Sequence, residues 1–224
     1  MAHLKFLTSL YDLEGRKVAD IGAGDGTFSR QLNQEGAIVT AVEIDPEMVE
    51  RTAAMLPSSM EMKVGRAEEL PFESNSMNLL CFFFSFHHVP INVQDRAINE
   101  VSRVLKPDGR LHVVEPFPYG SMFDVVRLVE DETEVRTNSH KVMDSLTDRS
   151  GFELVARSDY VLTREYPDFE NLVNKIVSKD PERSARFQSV KKSMEQTYDR
   201  VICEEDGKRV LHQPCAAYHF RVSG

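Results

Sequence analysis

A short, mainly apolar run, Val18-Ala19-Asp20-Ile21, breaks directly into Gly22-Ala23-Gly24-Asp25-Gly26, after which Phe28 and Leu32 fall at helical spacing. The run reads as a buried parallel strand, the glycines as a turn that needs positive φ and open access to the backbone, and the resumption as a helix start. Strand, glycine-rich turn and helix make the first half of a nucleotide-binding βαβ unit. The spacing separates ligand classes. A dinucleotide fingerprint, G-x-G-x-x-G, needs a glycine at position 27, where Thr27 stands. The pattern here is G-x-G-x-G with an acid, Asp20, two residues ahead of it. A glycine loop alone can also be a plain structural turn, so the rest of the chain has to decide.

Strand and helix signals alternate through the first half. Ala37–Val42 is rich in β-branched residues and reads as a second strand. Asp45-Pro46 supplies an N-cap and a first helical residue, with Met48, Val49, Thr52, Ala53 and Leu56 on one face. Met60–Val64 is a third strand and Met77–Phe84 a fourth, apolar throughout and therefore buried on both sides. Ala97, Ile98, Val101, Val104 and Leu105 mark a helix face before the turn Lys106-Pro107-Asp108-Gly109 and a fifth strand, Arg110–Glu115. Phe152–Leu162 and Ala216–Val222 complete a set of seven. This rhythm predicts an α/β fold with a doubly wound, mostly parallel sheet. The 224 residues are expected to form a single domain, with helical cap segments at about 118–150 and 163–213.

Net charge and cysteine usage narrow the partners. A net charge of −9 disfavours a phosphate backbone as ligand. The three cysteines include no C-x-x-C pair, which fits reduced thiols in a cytoplasm. The first residues, MAHLKFLTSLYDLEG, have neither the apolar core of a signal peptide nor that of a membrane span, and no later run is long enough for one.

Four blocks, VADIGAGDGTF, AVEIDPEM, VGRAEELPFESNSMNLL with CFFFSFHHV, and EVSRVLKPDGRLHVVEP, stand in the order found in class I S-adenosylmethionine (SAM)-dependent methyltransferases. The chain most resembles the ubiquinone/menaquinone-biosynthesis type, the methyltransferase type 11 family, over about residues 15–117. The resemblance implies a Rossmann-like methyltransferase fold, SAM as cofactor and S-adenosylhomocysteine as product. It implies that Asp20 faces the methionine amino group, directly or through water, and that Gly22, Ala23 and Gly24 bring backbone against the ligand. Gly26 is expected to serve close strand–helix packing. Glu43, which ends the second strand, would take the ribose hydroxyls through its two acceptor oxygens, and Ile44 would pack on adenine.

The family usually carries an aspartate where Arg66 stands. A guanidinium has donors only, so Arg66 either stacks on the adenine ring or points to solvent, with Glu68 or a backbone carbonyl as the substitute acceptor and the Ala67 N–H serving the ring. The backbone at Phe82 is expected beside the methionine part. His87 and His88 invite a catalytic reading, because histidine titrates near neutrality; the plainer reading is that one shapes the loop and the other packs. No third ligand stands at metal-binding spacing beside them, so no metal is expected. Glu115, Tyr119, His140 and His212 are polar groups available to an acceptor, and Lys175, Lys179, Arg183, Arg186, Lys191 and Lys192 read as a solvated helix face.

The reaction implied is transfer of the SAM methyl group to a small, partly apolar metabolite, with no nucleic acid and no membrane span. A nucleic-acid or protein methyltransferase, and a SAM-binding protein without transferase activity, are the alternatives. The helices after Glu115 and before the last strand are expected to roof the pocket and select the acceptor.

Overall fold

The computed structural model describes residues 2–178 and 180–223. The elements are, in order, α1 (Ala2–Leu10), β1 (Lys17–Ile21), α2 (Thr27–Gln34), β2 (Ile38–Glu43), α3 (Pro46–Ala53), β3 (Glu61–Val64), β4 (Met77–Phe83), α4 (Gln94–Val104), β5 (Leu105–Pro116), α5 (Ser121–Val126), α6 (Thr133–Ser145), β6 (Phe152–Glu165), α7 (Phe169–Leu172), α8 (Pro181–Val201), β7 (Cys203–Glu205) and β8 (Lys208–Val222). The chain divides into two compact units. The first comprises residues 1–115, 138–158 and 216–224, and the second residues 116–137 and 159–215. Residues 138–150, expected in the cap, group with the first unit.

The strand order is β3-β2-β1-β4-β5-β8-β6, with β7 paired to β8 off that path. β1 pairs in parallel with both β2 and β4, β2 with β3, and β4 with β5. The fold is therefore the expected α/β class with a mostly parallel sheet. Among the described residues the sheet has eight strands rather than seven, the addition being β7. That strand is three residues long and is carried by a tight hairpin in which Glu205 faces Lys208. Its two turn residues, Asp206 at φ 49° and Gly207 at φ 73°, both sit in the left-handed region that an Asp-Gly hairpin turn demands.

Local chemistry explains the helix starts. Asp45 accepts the Glu47 N–H at 2.9 Å ahead of Pro46, and Asp180 accepts from Glu182 and Arg183 ahead of Pro181. Each unit has its own core. In the first, Leu7 of α1, Phe28 and Leu32 of α2, and Val18, Val39, Leu79 and Cys81 of the central strands pack together. In the second, Val125, Leu172, Phe187, Met194, Tyr198 and Leu211 do so. Among the described residues no helix is long and apolar enough to cross a membrane.

Candidate functional site

β1 and β4 are neighbours, yet the chain leaves β1 toward β2 on one side and runs from β4 to β5 on the other. The order reverses between β1 and β4, and open α/β sheets hold ligands at such a point, above the carboxyl ends of the strands. A cleft of about 460 Å³ lies there, within the roughly 300–1,000 Å³ usual for small-molecule sites. Ile21, Gly22, Gly24, Glu43, Ile44, Arg66, Ala67, Glu68 and Phe82 line it, together with Phe84, Ser85, His88, Val89 and Pro90.

The glycine turn is tied down from two sides. Gly22 and Ala23 donate their N–H groups to the Val42 carbonyl at 2.8 and 3.0 Å, so Ala23 turns its donor into the fold and is not part of the cleft wall. Glu43 accepts the Gly24 N–H at 2.9 Å through Oε2 and, through Oε1, the N–H groups of Ile44 at 2.7 Å and Asp45 at 3.4 Å. A carboxylate has about four acceptor positions, so Oε2 keeps one for a ligand. Gly24 (φ 55°) has no atom within 4 Å of where a Cβ would stand, which leaves its backbone open to a ligand. Gly22 differs: a Cβ there would sit 2.5 Å from the Cβ of Ser85. The space vacated at Gly22 is thus filled by Ser85, whose hydroxyl donates to the Ile21 carbonyl at 2.5 Å, rather than by a ligand. Gly26 makes room for Thr52 and Leu56, so its close packing is against the α3 segment rather than a strand.

Asp20 is beneath this turn, 1% exposed, and does not line the cleft. Burial drives its pKa from 3.8 up to about 7; the Ser29 hydrogen bond at 2.5 Å lowers it and the nearby Glu43 charge raises it further. Cys81, its neighbour across the β1–β4 pair, is buried as well, and burial followed by the Asp20 charge pushes its thiol pKa up.

Next to Glu43, Ile44 is 52% exposed, an apolar side chain presented to the cleft. Arg66 is held by backbone pairing with Glu69, and its side chain, 60% exposed, stands 3.9 Å from Glu68. It therefore edges the cleft and is also solvated. Past β4 the chain turns sharply at Phe84, a non-glycine residue at φ 55°, and its N–H donates to the Val114 carbonyl at 2.8 Å. That turn swings Ser85, His88, Val89 and Pro90 onto the cleft. None of these four, nor Phe84, stood out in the sequence apart from the histidine.

The two adjacent histidines have different places. His88 is exposed and lines the cleft. His87 is 3% exposed, with Nδ1 2.7 Å from Glu115 Oε2, and Glu115 also accepts the N–H groups of Phe86 and His87. Burial alone would raise the Glu115 pKa, but the His87 charge and hydrogen bonds from His87 and Ser139 outweigh it and hold the carboxyl below its usual range. Glu115 and His140, expected to be available to an acceptor, are buried instead, His140 lying 3.0 Å from the Tyr218 hydroxyl. In the second unit Tyr119 is 55% exposed and His212 is paired with Glu205. Within the basic stretch there, Arg183 pairs with Glu130 and Arg186 with Glu182, while Lys179 lies outside the described residues.

Residues 19–113 match the family of methyltransferase domains. An uncharacterized methyltransferase of Mycobacterium tuberculosis is 33% identical over 165 residues, 66% of each chain, so the chain spans 66% of that relative's length. The demethylmenaquinone methyltransferase of Renibacterium salmoninarum is 30% identical over 162 residues, 72% of this chain and 65% of that protein. Among solved structures, a chain from Bacillus halodurans superposes over 100% of both chains with a TM-score of 0.68 at 20% identity, a likeness of fold. Family match, relatives and fold agree with the glycine turn and the strand-end acid: the chain belongs to the class I SAM-dependent methyltransferases, close to the ubiquinone/menaquinone-biosynthesis type, and SAM is the cofactor of that class.

Proposed function

We propose that the chain transfers a methyl group from SAM to a small, partly apolar metabolite in a cytoplasm. The observation that carries this reading is the cleft itself, with an open glycine backbone at Gly24, a locked carboxylate at Glu43 and an exposed apolar shelf at Ile44 side by side. These features fit the donor molecule. Glu43 keeps acceptor capacity for the ribose hydroxyls at Oε2, Ile44 offers a flat apolar contact for adenine, and Gly24 admits the amino-acid part without a Cβ in the way. Asp20 acts from beneath the turn. Its carboxylate, ionised next to a cationic ligand, adds to Glu43 a field that favours an ammonium and a sulfonium.

The methyl carbon bonds to the acceptor as its bond to sulfur breaks, and sulfur keeps the electron pair. The donor is already activated by its positive sulfur, so the protein's task is alignment and exclusion of water. Phe82, Phe84, Val89 and Pro90 supply the apolar wall for that. His88, on the cleft, is placed to take a proton from an acceptor that must lose one. His87, held by Glu115, shapes the loop that carries His88. The relatives named for menaquinone and ubiquinone biosynthesis support a small acceptor, and the net charge of −9 counts against nucleic acid. Three cysteines without a C-x-x-C pair support the compartment.

Incubation with methyl-labelled SAM and a cell extract, fractionated by size, tests the proposal. Label in small metabolites is the expected result. Label in RNA or protein, or no label, overturns it.

A further inference from the structure

The hairpin of β7 and β8 in the second unit carries a cysteine, a carboxylate and a histidine within reach of one another. Cys203 faces Val210 and Glu205 faces Lys208 across the pair, so residues 203, 205 and 212 have the parity of one face. The imidazole stands between the other two groups, with Nε2 2.8 Å from Glu205 Oε1 and Nδ1 3.8 Å from Cys203 Sγ. One donor atom from each residue lies within 4.8 Å of the donors of the other two. A tetrahedral zinc ion, with bonds of about 2.3 Å to sulfur and roughly 2.0–2.2 Å to nitrogen and oxygen, sets its ligand atoms about 3.3–3.6 Å apart. The set can therefore close on one ion by side-chain rotation, without moving the backbone. The Asp206-Gly207 turn fixes the two strands beforehand.

The donor chemistry selects the ion. A thiolate, an imidazole and a carboxylate suit a borderline, thiophilic divalent cation and not the hard cations that want oxygen alone. One thiolate and one carboxylate also neutralise a 2+ charge. The His212 and Glu205 side chains are 31% and 48% exposed, so an ion has a path in and a water molecule has room at the fourth position. We propose that Cys203, Glu205 and His212 form a three-ligand site for a zinc-class cation. Binding releases the Cys203 thiol proton to solvent as sulfur bonds the metal; His212 bonds it through Nε2 as the neutral imidazole with its ring proton on Nδ1, and the Glu205 carboxylate exchanges its contact with the imidazole for one with the ion. The ion then staples β7 to β8, a strand too short to be held by much else.

Cobalt(II) titration of the metal-stripped full chain, followed by zinc(II), tests this. A thiolate-to-cobalt charge-transfer absorption saturating at one ion per chain is expected, discharged by zinc. Cys203→Ser abolishes it, Cys81→Ser and Cys215→Ser keep it, and Glu205→Gln weakens the affinity tenfold or more with the band retained. In the unmodified chain, zinc should protect Cys203 from iodoacetamide, read by mass spectrometry, which needs no variant. Absence of the band at saturating cobalt, a band that survives Cys203→Ser, or alkylation of Cys203 unchanged by zinc overturns the site.

Discussion

The Ser29 hydroxyl, on α2, donates to the carboxylate of Asp20, at the end of β1, at 2.5 Å in a fully buried setting. This bond and a second from the Ser29 backbone N–H only partly offset a desolvation that lifts the Asp20 pKa to about 7. Near pH 6 the empty chain therefore holds Asp20 mostly protonated. Binding a cation above it should ionise the group and release close to one proton per chain. Calorimetry of SAM binding at pH 6, in two buffers of different ionisation heat, should show that release in the native chain and its disappearance in Asp20→Asn. Identical heats in both buffers for the native chain would count against a charged role for Asp20.

Glu43 and Arg66 make a contrasting pair. Replacing Glu43 with alanine removes an acceptor from the ligand and from three backbone N–H groups, those of Gly24, Ile44 and Asp45. SAM affinity should fall by about 1.5–3 kcal/mol, the range for hydrogen bonds to a charged group. Arg66→Asp introduces an acceptor at the cleft edge, and affinity should stay the same or improve. A large loss in that variant would mean that the guanidinium makes an essential contact, such as stacking.

The two cleft glycines should respond differently to a single methyl group. Gly24→Ala meets open space and suffers only the left-handed backbone, costing roughly 1–2 kcal/mol. Gly22→Ala suffers the same backbone cost at φ 71° and also collides with Ser85, which adds about 1–3 kcal/mol of overpacking. Denaturant melts of both variants measure the difference. Equal losses would show that Ser85 steps aside freely.

Acid stability should report the buried histidines of the first unit. Burial, and for His112 the neighbouring histidines, lowers the pKa of His112 to about 3; burial, and then Arg110, lowers that of His219 to about 4. Both ring nitrogens of each side chain lack a hydrogen-bond partner. Their folded pKa values are depressed, so stability is full above the ordinary value of 6.5 and is lost as the pH falls toward 4 and 3. Each histidine contributes a slope of about 1.4 kcal/mol per pH unit in that window. Asp20, with its raised pKa, acts in the opposite direction by one proton, destabilising the chain as the pH rises from about 4 through about 7. Asp20→Asn should therefore steepen the loss of stability between pH 6 and 5 by about 1.4 kcal/mol per unit. Unfolding free energies at both pH values test this, and an unchanged slope refutes it.

What could be read in the sequence was local. Asp45-Pro46 and Asp180-Pro181 announce their helices because a cap works through neighbours in the chain. The glycine turn announces itself because positive φ leaves few choices of residue. β7 was missed because three residues carry no periodicity, although Asp206-Gly207 is a hairpin signal. The cleft wall was harder to see. Ser85 fills the gap at Gly22 from 63 positions away, and Glu115 captures His87 across 28. No spacing rule encodes either contact, so the burial of His87 and the openness of His88 could not be told apart from two adjacent letters.

Phe84 shows where selection for function and selection for stability part company. An aromatic residue in left-handed backbone is strained by of order 1–3 kcal/mol, and glycine or asparagine would hold the same turn at less cost. A screen for heat resistance should therefore enrich small residues at position 84. Each such winner would remove a ring from the cleft wall, so the more durable descendants of this chain would be those with a larger and less selective cavity.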